Sequence, residues 1–296
     1  MTEGRGLLEL CLAAARGVES RKANRLIIDP FAENLIRCAG VCGPLAMLDT
    51  PISMDSRHPD ADRMRLLVDY IAVKTHYYDN AALRAVTRGA RQVVILPTTF
   101  SLRAHRLRWP RRVTIYEFGE QHLLDFADRV LAQQEAQTTV VRHLIHGWLD
   151  AAGTLALTRA GFDPDAPTAW VADDLPYLVH GSQQDATFER IVELSAPGSV
   201  IVTGEGQFVP CIEEWGDVID ALLPDAMQAA NAWLTQYYDS ERTSPTNWLV
   251  GHGWSVQTTT IGRQLARHGR AVPAQLKGTA TYALGHQLLT AAFPHP

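Results

Sequence analysis

The 296-residue sequence predicts a doubly wound α/β fold on a mostly parallel sheet, and three observations carry that expectation. Short, nearly continuous apolar runs recur from Arg91 onward, helical stretches separate them, and the region before them is helical in pattern with no strand of its own. Strands covered on both faces by crossover helices lose the polar alternation of a half-exposed sheet, so uninterrupted apolar runs at this spacing mark parallel strands.

Taken in order, Leu7, Leu8, Cys11, Ala14 and Ala15 follow the three-and-four spacing of one apolar helical stripe. Asp29-Pro30 offers a cap and a first-turn proline to a second helix through Phe31, Leu35 and Ile36. Gly43 to Pro59 holds three prolines and reads as a loop before a helix carrying Met64, Leu67, Ile71 and Val73. Five strands follow, over Val93–Leu96, Val113–Tyr116, Val140–Ile145, Ala169–Ala172 and Ser199–Val202. Between the last two of these, Ser182 with Asp185 reads as a capping box ahead of a helix through Phe188, Ile191, Val192 and Leu194, stopped by Pro197-Gly198. Residues 206 to about 240 read as an aromatic-rich helical insertion containing Trp215, Trp233, Tyr237 and Tyr238, either packed or serving as a lid over a substrate. Ser244-Pro245 opens a further helix as cap and first residue, and Trp254 to Ile261 and Thr279 to Leu284 read as two more strands around a helix near 261–268. The expected organisation is a single domain: helical cap 1–88, core sheet 89–205, lid insertion 206–245, and C-terminal strands and helix 246–296.

Composition narrows the function classes. With 46% hydrophobic and 20% charged residues the chain has the apolar mass for a sizeable core, which excludes a disordered chain. No apolar run reaches the roughly 18 to 20 residues of a membrane span, and the start Met1-Thr2-Glu3-Gly4-Arg5 lacks a signal-peptide plan, so a cytoplasmic location is expected. A net charge of −5 without a basic block argues against a nucleic-acid surface. The expected partner is a small molecule, with neither nucleic acid nor membrane, and a homo-oligomer stays an open option. Cys11, Cys38, Cys42 and Cys211 make no disulfide framework at this length and are expected to be mostly buried thiols.

In open α/β sheets ligands bind beyond the carboxyl ends of the strands, which points to Pro97-Thr98-Thr99-Phe100-Ser101, Glu117-Phe118-Gly119, His146-Gly147-Trp148 and Asp173-Asp174-Leu175-Pro176-Tyr177. Around these, the chain resembles the leucine carboxyl methyltransferase-like proteins, in particular their actinobacterial branch. The resemblance spans nearly the whole chain. It is carried by Ala14-Ala15-Arg16, Asp29-Pro30-Phe31-Ala32-Glu33, Arg91 to Leu96, Leu102 to Leu107 with Trp109-Pro110, Ala160 to Pro164, Pro167 to Trp170, Leu194 to Ser199, and Trp248-Leu249 with His252-Gly253-Trp254. It implies a class I methyltransferase (Rossmann-like) fold of seven mostly parallel strands, with an N-terminal helical cap, an inserted helical lid and S-adenosylmethionine as the family's cofactor.

Set against the family pattern, the cofactor cleft departs at five places. The family resemblance implies Leu-Gly-Ala-Gly-Leu-Asp after the first strand, whereas Pro97, Thr98, Thr99, Phe100 and Ser101 stand here. The second strand keeps Glu117 but has Gly119 at the place of the ribose-binding Asp. Trp148, beside His146, occupies the place of an adenine-contacting Asp, Asp173-Asp174 replaces a Glu-Gly pair, and Lys74 replaces an arginine that pairs with the cofactor carboxylate. Three lost bonds to charged or polar ligand groups amount to roughly 5 to 9 kcal/mol if additive. The expectation drawn from this is a methyltransferase-fold enzyme using no cofactor and carrying out acid/base cyclisation, dehydration or isomerisation of a small organic, secondary-metabolite-type molecule. His76, Tyr77, Asp173, Asp174 and Tyr177 are its candidate acids and bases, because imidazole, phenol and paired carboxylates exchange protons when their environments shift them, with core packing or helix capping as the competing roles. The alternatives are an S-adenosylmethionine-dependent O-methyltransferase with a divergent pocket and a catalytically silent binding subunit. No spacing of His, Cys or acids matches a recognised metal site, so no metal is expected.

Overall fold

The computed structural model describes residues 4–40, 61–98, 100–110, 113–173, 175–206, 241–278 and 280–294. Thr99, Asp174, Cys42, Cys211, the loop read at 43–59 and the insertion at 207–240 lie outside them, as does the side chain of Tyr177.

Seven strands form one sheet in the order β3-β2-β1-β4-β5-β7-β6. The strands are β1 (Gln92–Ile95), β2 (Thr114–Gly119), β3 (Val141–His146), β4 (Thr168–Ala172), β5 (Val200–Glu205), β6 (Ser255–Thr260) and β7 (Gln287–Ala292). The first five pair in parallel, with Ile95 beside Glu117 on one side and Val171 on the other. The central strands are buried along their whole length because helices cover both faces, which is why their sequences are unbroken apolar runs. β7 runs against β5: Phe293, just past its end, exchanges backbone hydrogen bonds with Gly198 and Ser199 at the start of β5.

The helices are α1 (Gly4–Arg21), α2 (Ala32–Cys38), α3 (Ala61–Thr87), α4 (Arg103–Arg106), α5 (Gln121–Gln133), α6 (Ala151–Arg159), α7 (Leu175–Leu178), α8 (Gly181–Glu193), α9 (Pro245–Gly251), α10 (Ile261–Arg267) and α11 (Thr281–Gly285). α9 begins as its sequence dictates, with Ser244 Oγ accepting from the Asn247 N–H and Pro245 at the first turn. α8 does not. It starts at Gly181 with His180 as its cap residue, because Gly181 packs where a Cβ would lie 1.9 Å from the Glu241 carbonyl oxygen, and Ser182 is left inside the helix. α2 starts at Ala32, beyond Pro30, and Asp29 instead accepts from the Phe31 N–H and pairs with Arg16 at 2.8 Å. Thr279 to Leu284, expected as a strand, contains α11, and the last strand begins only at Gln287. Its apolar Leu288, Leu289 and Ala291 are buried, whereas β-favouring Thr281 and Tyr282 are exposed, so burial and not propensity places the strand.

The chain divides into two compact units. One comprises Met1–His76, Gly206–Gln236 and Thr259–Gln287. Its described part is tied by buried and half-buried charges: Arg270 bonds to Glu19 at 2.7 Å and to Asp69 at 3.2 Å, and Lys22 bonds to Asp69 at 2.7 Å. The other comprises Tyr77–Glu205, Tyr237–Thr258 and Leu288–Pro296. It holds the sheet's first five strands and an apolar cluster in which Val94, Tyr116, Phe118, Trp170, Phe188 and Leu289 are all buried. No helix among the described residues is long and apolar enough to cross a membrane.

Candidate active site

The strand order reverses between β1 and β4, so the crevice beyond their carboxyl ends is where an α/β sheet of this kind receives a ligand. The chain leaving β1 is shaped there without glycine. Pro97 and Phe100 are buried, the Phe100 ring packs on Phe126 of α5 at 5.4 Å, and the Thr98 N–H donates to the Phe118 carbonyl of β2. Leu102 takes up the turn in a left-handed conformation, φ 46° and ψ 40°, which disfavours a side-chain-bearing residue by about 1–2 kcal/mol and persists only where surrounding contacts impose it.

Those contacts come from two arginines. Arg103, 1% exposed, donates from Nε to Asp79 Oδ1 at 2.9 Å, from Nη1 to Ser101 Oγ at 3.0 Å and from Nη2 to Asp173 Oδ2 at 2.7 Å. Arg106 donates to both Asp79 oxygens and, through Nε, to the Ser101 carbonyl at 2.9 Å. Burial alone would raise the Asp79 pKa, but the charges of Arg106 and Arg103 outweigh it and hold the carboxyl below its ordinary range. The loop leaving β1, the end of β4 and α3 are thereby locked together. Asp173 keeps one oxygen back, since its Oδ1 is buried and accepts no hydrogen bond from the described residues.

A second carboxylate stands on β2. Glu117 accepts from Arg142 Nε at 2.5 Å through Oε2, and Arg142 also reaches Asp128 of α5 at 2.6 Å. The other Glu117 oxygen, Oε1, is buried and likewise accepts nothing. At Gly119, at the end of β2, a Cβ would lie 3.2 Å from the Thr98 methyl and from Leu124, so a side chain there fits only if these side chains give way by a few tenths of an ångström. His105 on α4 is pushed down to about 4, by burial first and then by the charge of Arg142, and is neutral at pH 7.

The end of β3 is set by close packing. Gly147 adopts φ +104°, a region that favours glycine, and Asp150 caps α6 by accepting from the Gly153 N–H. A Cβ on Gly153 would fall 2.0 Å from the Trp148 carbonyl oxygen, so only glycine lets this turn close. Trp148 is half-buried against the apolar cluster, and His146 is exposed.

The remaining candidates are placed elsewhere. Tyr77 donates to or accepts from Thr290 Oγ1 of β7 at 2.8 Å, and burial raises its pKa, so Tyr77 and Asp173 hold different partners. His76, in the other unit, has Nδ1 3.1 Å from the Leu26 carbonyl and meets His268 edge-on at 4.8 Å. Lys74 is buried with its ammonium 5.7 Å from the centre of the Tyr70 ring. Among the described residues no group of three His, Cys, Asp or Glu is placed to hold a metal ion. Asp79 and Arg106 were not singled out by sequence reasoning. The available signal was Arg103 and Arg106 recurring at a one-turn spacing directly after a buried strand.

A seven-stranded sheet of this order, with buried polar side chains beyond the β1–β4 reversal, defines a methyltransferase-type α/β protein. The chain belongs to the leucine carboxyl methyltransferase family, whose model matches residues 9–192. It is 33% identical over 290 residues to a protein of Mycobacteroides abscessus, covering 98% of this chain and 92% of the relative. It is 36% identical over 286 residues to one of Mycobacterium ulcerans, covering 93% and 88%. Both are named "Putative S-adenosyl-L-methionine-dependent methyltransferase". In fold it is similar to the crystal structure of a DUF574 family protein from Streptomyces avermitilis, with a TM-score of 0.51, 13% identity, and 96% and 97% of the two chains covered.

These findings overturn two sequence-based expectations, chemistry without S-adenosylmethionine and the absence of a cofactor. The physical error lay in equating lost glycines with a lost site. Here the turn after β1 is held by Arg103, Arg106 and a left-handed Leu102 instead, and Glu117 on β2 and Asp173 just past β4 each keep a buried oxygen without a hydrogen-bond partner among the described residues.

Proposed function

We propose that this chain is an S-adenosylmethionine-dependent methyltransferase acting on a carboxyl or hydroxyl oxygen of a small organic molecule. The observation that carries the proposal is the pair of buried, unsatisfied acceptor atoms, Asp173 Oδ1 and Glu117 Oε1, on strands flanking β1. A buried carboxylate oxygen left unmatched costs about 1–3 kcal/mol or more, and an arrangement that leaves two such atoms is suited to a ligand bringing donors. S-adenosylmethionine brings an ammonium group and two ribose hydroxyls, so the residues present fit it.

In this reading Asp173 Oδ1 accepts from the ammonium group, where the neighbouring Arg103 is already shared with Asp79 and leaves room for a further cation. Glu117, on the second strand and about 20 residues past the first turn, accepts from a ribose hydroxyl, as acids at this place in dinucleotide-binding sheets do. Trp148, fixed by Gly147 and Gly153, provides an apolar wall at the end of β3. The cofactor, when bound, supplies a methyl group on a cationic sulfur. The chain's own task is to orient that group and keep water from it.

Titration calorimetry with S-adenosylmethionine and S-adenosylhomocysteine tests the proposal. Micromolar binding, about 8 kcal/mol, is expected, and Asp173→Asn is expected to weaken it about tenfold or more. No detectable heat with either ligand at about millimolar concentration would overturn the reading.

A further inference from the structure

We infer that Arg103 is a positioning residue that makes the site selective for nucleosides carrying an ammonium-bearing tail, acting through Asp173. The inference rests on the cofactor reading above and goes beyond it by naming the residue that aims the acceptor.

The argument begins with how unevenly the two carboxylates of the buried cluster are used. Asp79 accepts three guanidinium donors on its two oxygens, one from Arg103 and two from Arg106. Asp173 accepts one, on Oδ2, and its Oδ1 faces no donor. Two arginines and two aspartates balance in charge, so the open oxygen does not mark a missing arginine inside the cluster. It marks the side from which a cationic donor from outside is received.

Arg103 can impose this asymmetry because its guanidinium is planar and rigid and all three of its nitrogens are engaged, with Asp79, Ser101 and Asp173. The Tyr78 ring lies 5.9 Å from its central carbon and fixes the plane further. A single Nη2 bond then holds Asp173 by Oδ2 and leaves Oδ1 buried without a donor. Ser101 matters for the same reason: a neutral hydroxyl satisfies Nη1 without adding a third negative charge, so within this cluster Asp173 is the carboxylate that keeps capacity for a cation.

The test compares two probes differing in the tail. S-adenosylhomocysteine carries an ammonium and a carboxylate on its tail and 5′-methylthioadenosine has the same nucleoside with neither, so Asp173→Asn, which changes only the acceptor proposed for the ammonium, assigns the difference to that group. In the wild-type chain S-adenosylhomocysteine is expected to bind at least tenfold more tightly. Asp173→Asn and Arg103→Lys, which keeps the charge but cannot engage three partners in one plane, are expected to weaken S-adenosylhomocysteine by about 10- to 100-fold while leaving 5′-methylthioadenosine within about twofold. Ser101→Ala removes one Arg103 partner without unpairing a buried charge, and about a threefold loss for S-adenosylhomocysteine alone is expected. It carries the test if Arg103→Lys does not fold.

Equal losses for both probes in Arg103→Lys or Ser101→Ala would show a merely structural role and overturn the inference, as would equal wild-type affinities. A wild-type chain that binds neither probe would instead overturn the cofactor reading on which the inference stands.

Discussion

Asp79 and Gly153 show how single residues govern this site. Because Arg106 and Arg103 hold the Asp79 carboxyl below its unfolded value of about 3.9, the folded state binds fewer protons than the unfolded state between the two values. The stabilisation is fully present above the unfolded value and is lost as pH falls through the folded one. Urea unfolding followed from about pH 6 downward is therefore expected to show stability dropping below about pH 4, and Asp79→Asn is expected to flatten that part of the curve. The same substitution leaves Arg103 and Arg106 short of a buried counter-charge and is expected to cost about 3–5 kcal/mol at neutral pH. Gly153→Ala acts by volume. Its methyl group would press on the Trp148 carbonyl and Phe118, and an overpacking cost of about 1–3 kcal/mol is expected, read as a lower urea midpoint together with a shift in tryptophan emission.

Among the elements, α9 offers the simplest check of local rules: Ser244→Ala removes the acceptor for the Asn247 N–H, and a loss of about 1 kcal/mol is expected in thermal or urea unfolding. That helix was readable because its start signals are local. So were β1 to β5, whose burial on both faces writes itself into unbroken apolar runs. The last strand was misplaced because its neighbour in the sheet, β5, is remote in sequence and pairs in the opposite direction, leaving no local mark at Gln287. The start of α8 was likewise decided by a contact between Gly181 and Glu241 that no capping pattern reveals. For the candidate site, position alone singled out the polar residues Ser101, Glu117 and Asp173 near the carboxyl ends of the strands. Their partners were not, since the arginine bonds to Glu117 and Asp173 join residues 25 and 70 positions apart. Counting substitutions against a family pattern could not reveal those replacements.

For the molecule as a whole, Cys11 is a useful reporter. Burial pushes its thiol up to about 12, so it is expected to resist alkylation in the folded chain and to react once the chain is unfolded in urea, whereas exposed Cys38 is expected to react in both conditions. Peptide mapping by mass spectrometry distinguishes the two thiols. A longer-range consequence follows from the clamp around Arg103. Its three partners are contributed by a helix ahead of the sheet, by the turn leaving the first strand, and by the far end of the fourth. No two of these partners are near each other along the chain, so the Asp173 carboxylate acquires its orientation only after the crossover bringing β4 against β1 has been completed. Under the proposed cofactor reading, recovery of S-adenosylhomocysteine binding during refolding is accordingly expected to trail the return of helical signal, a clock for the final stage of assembly.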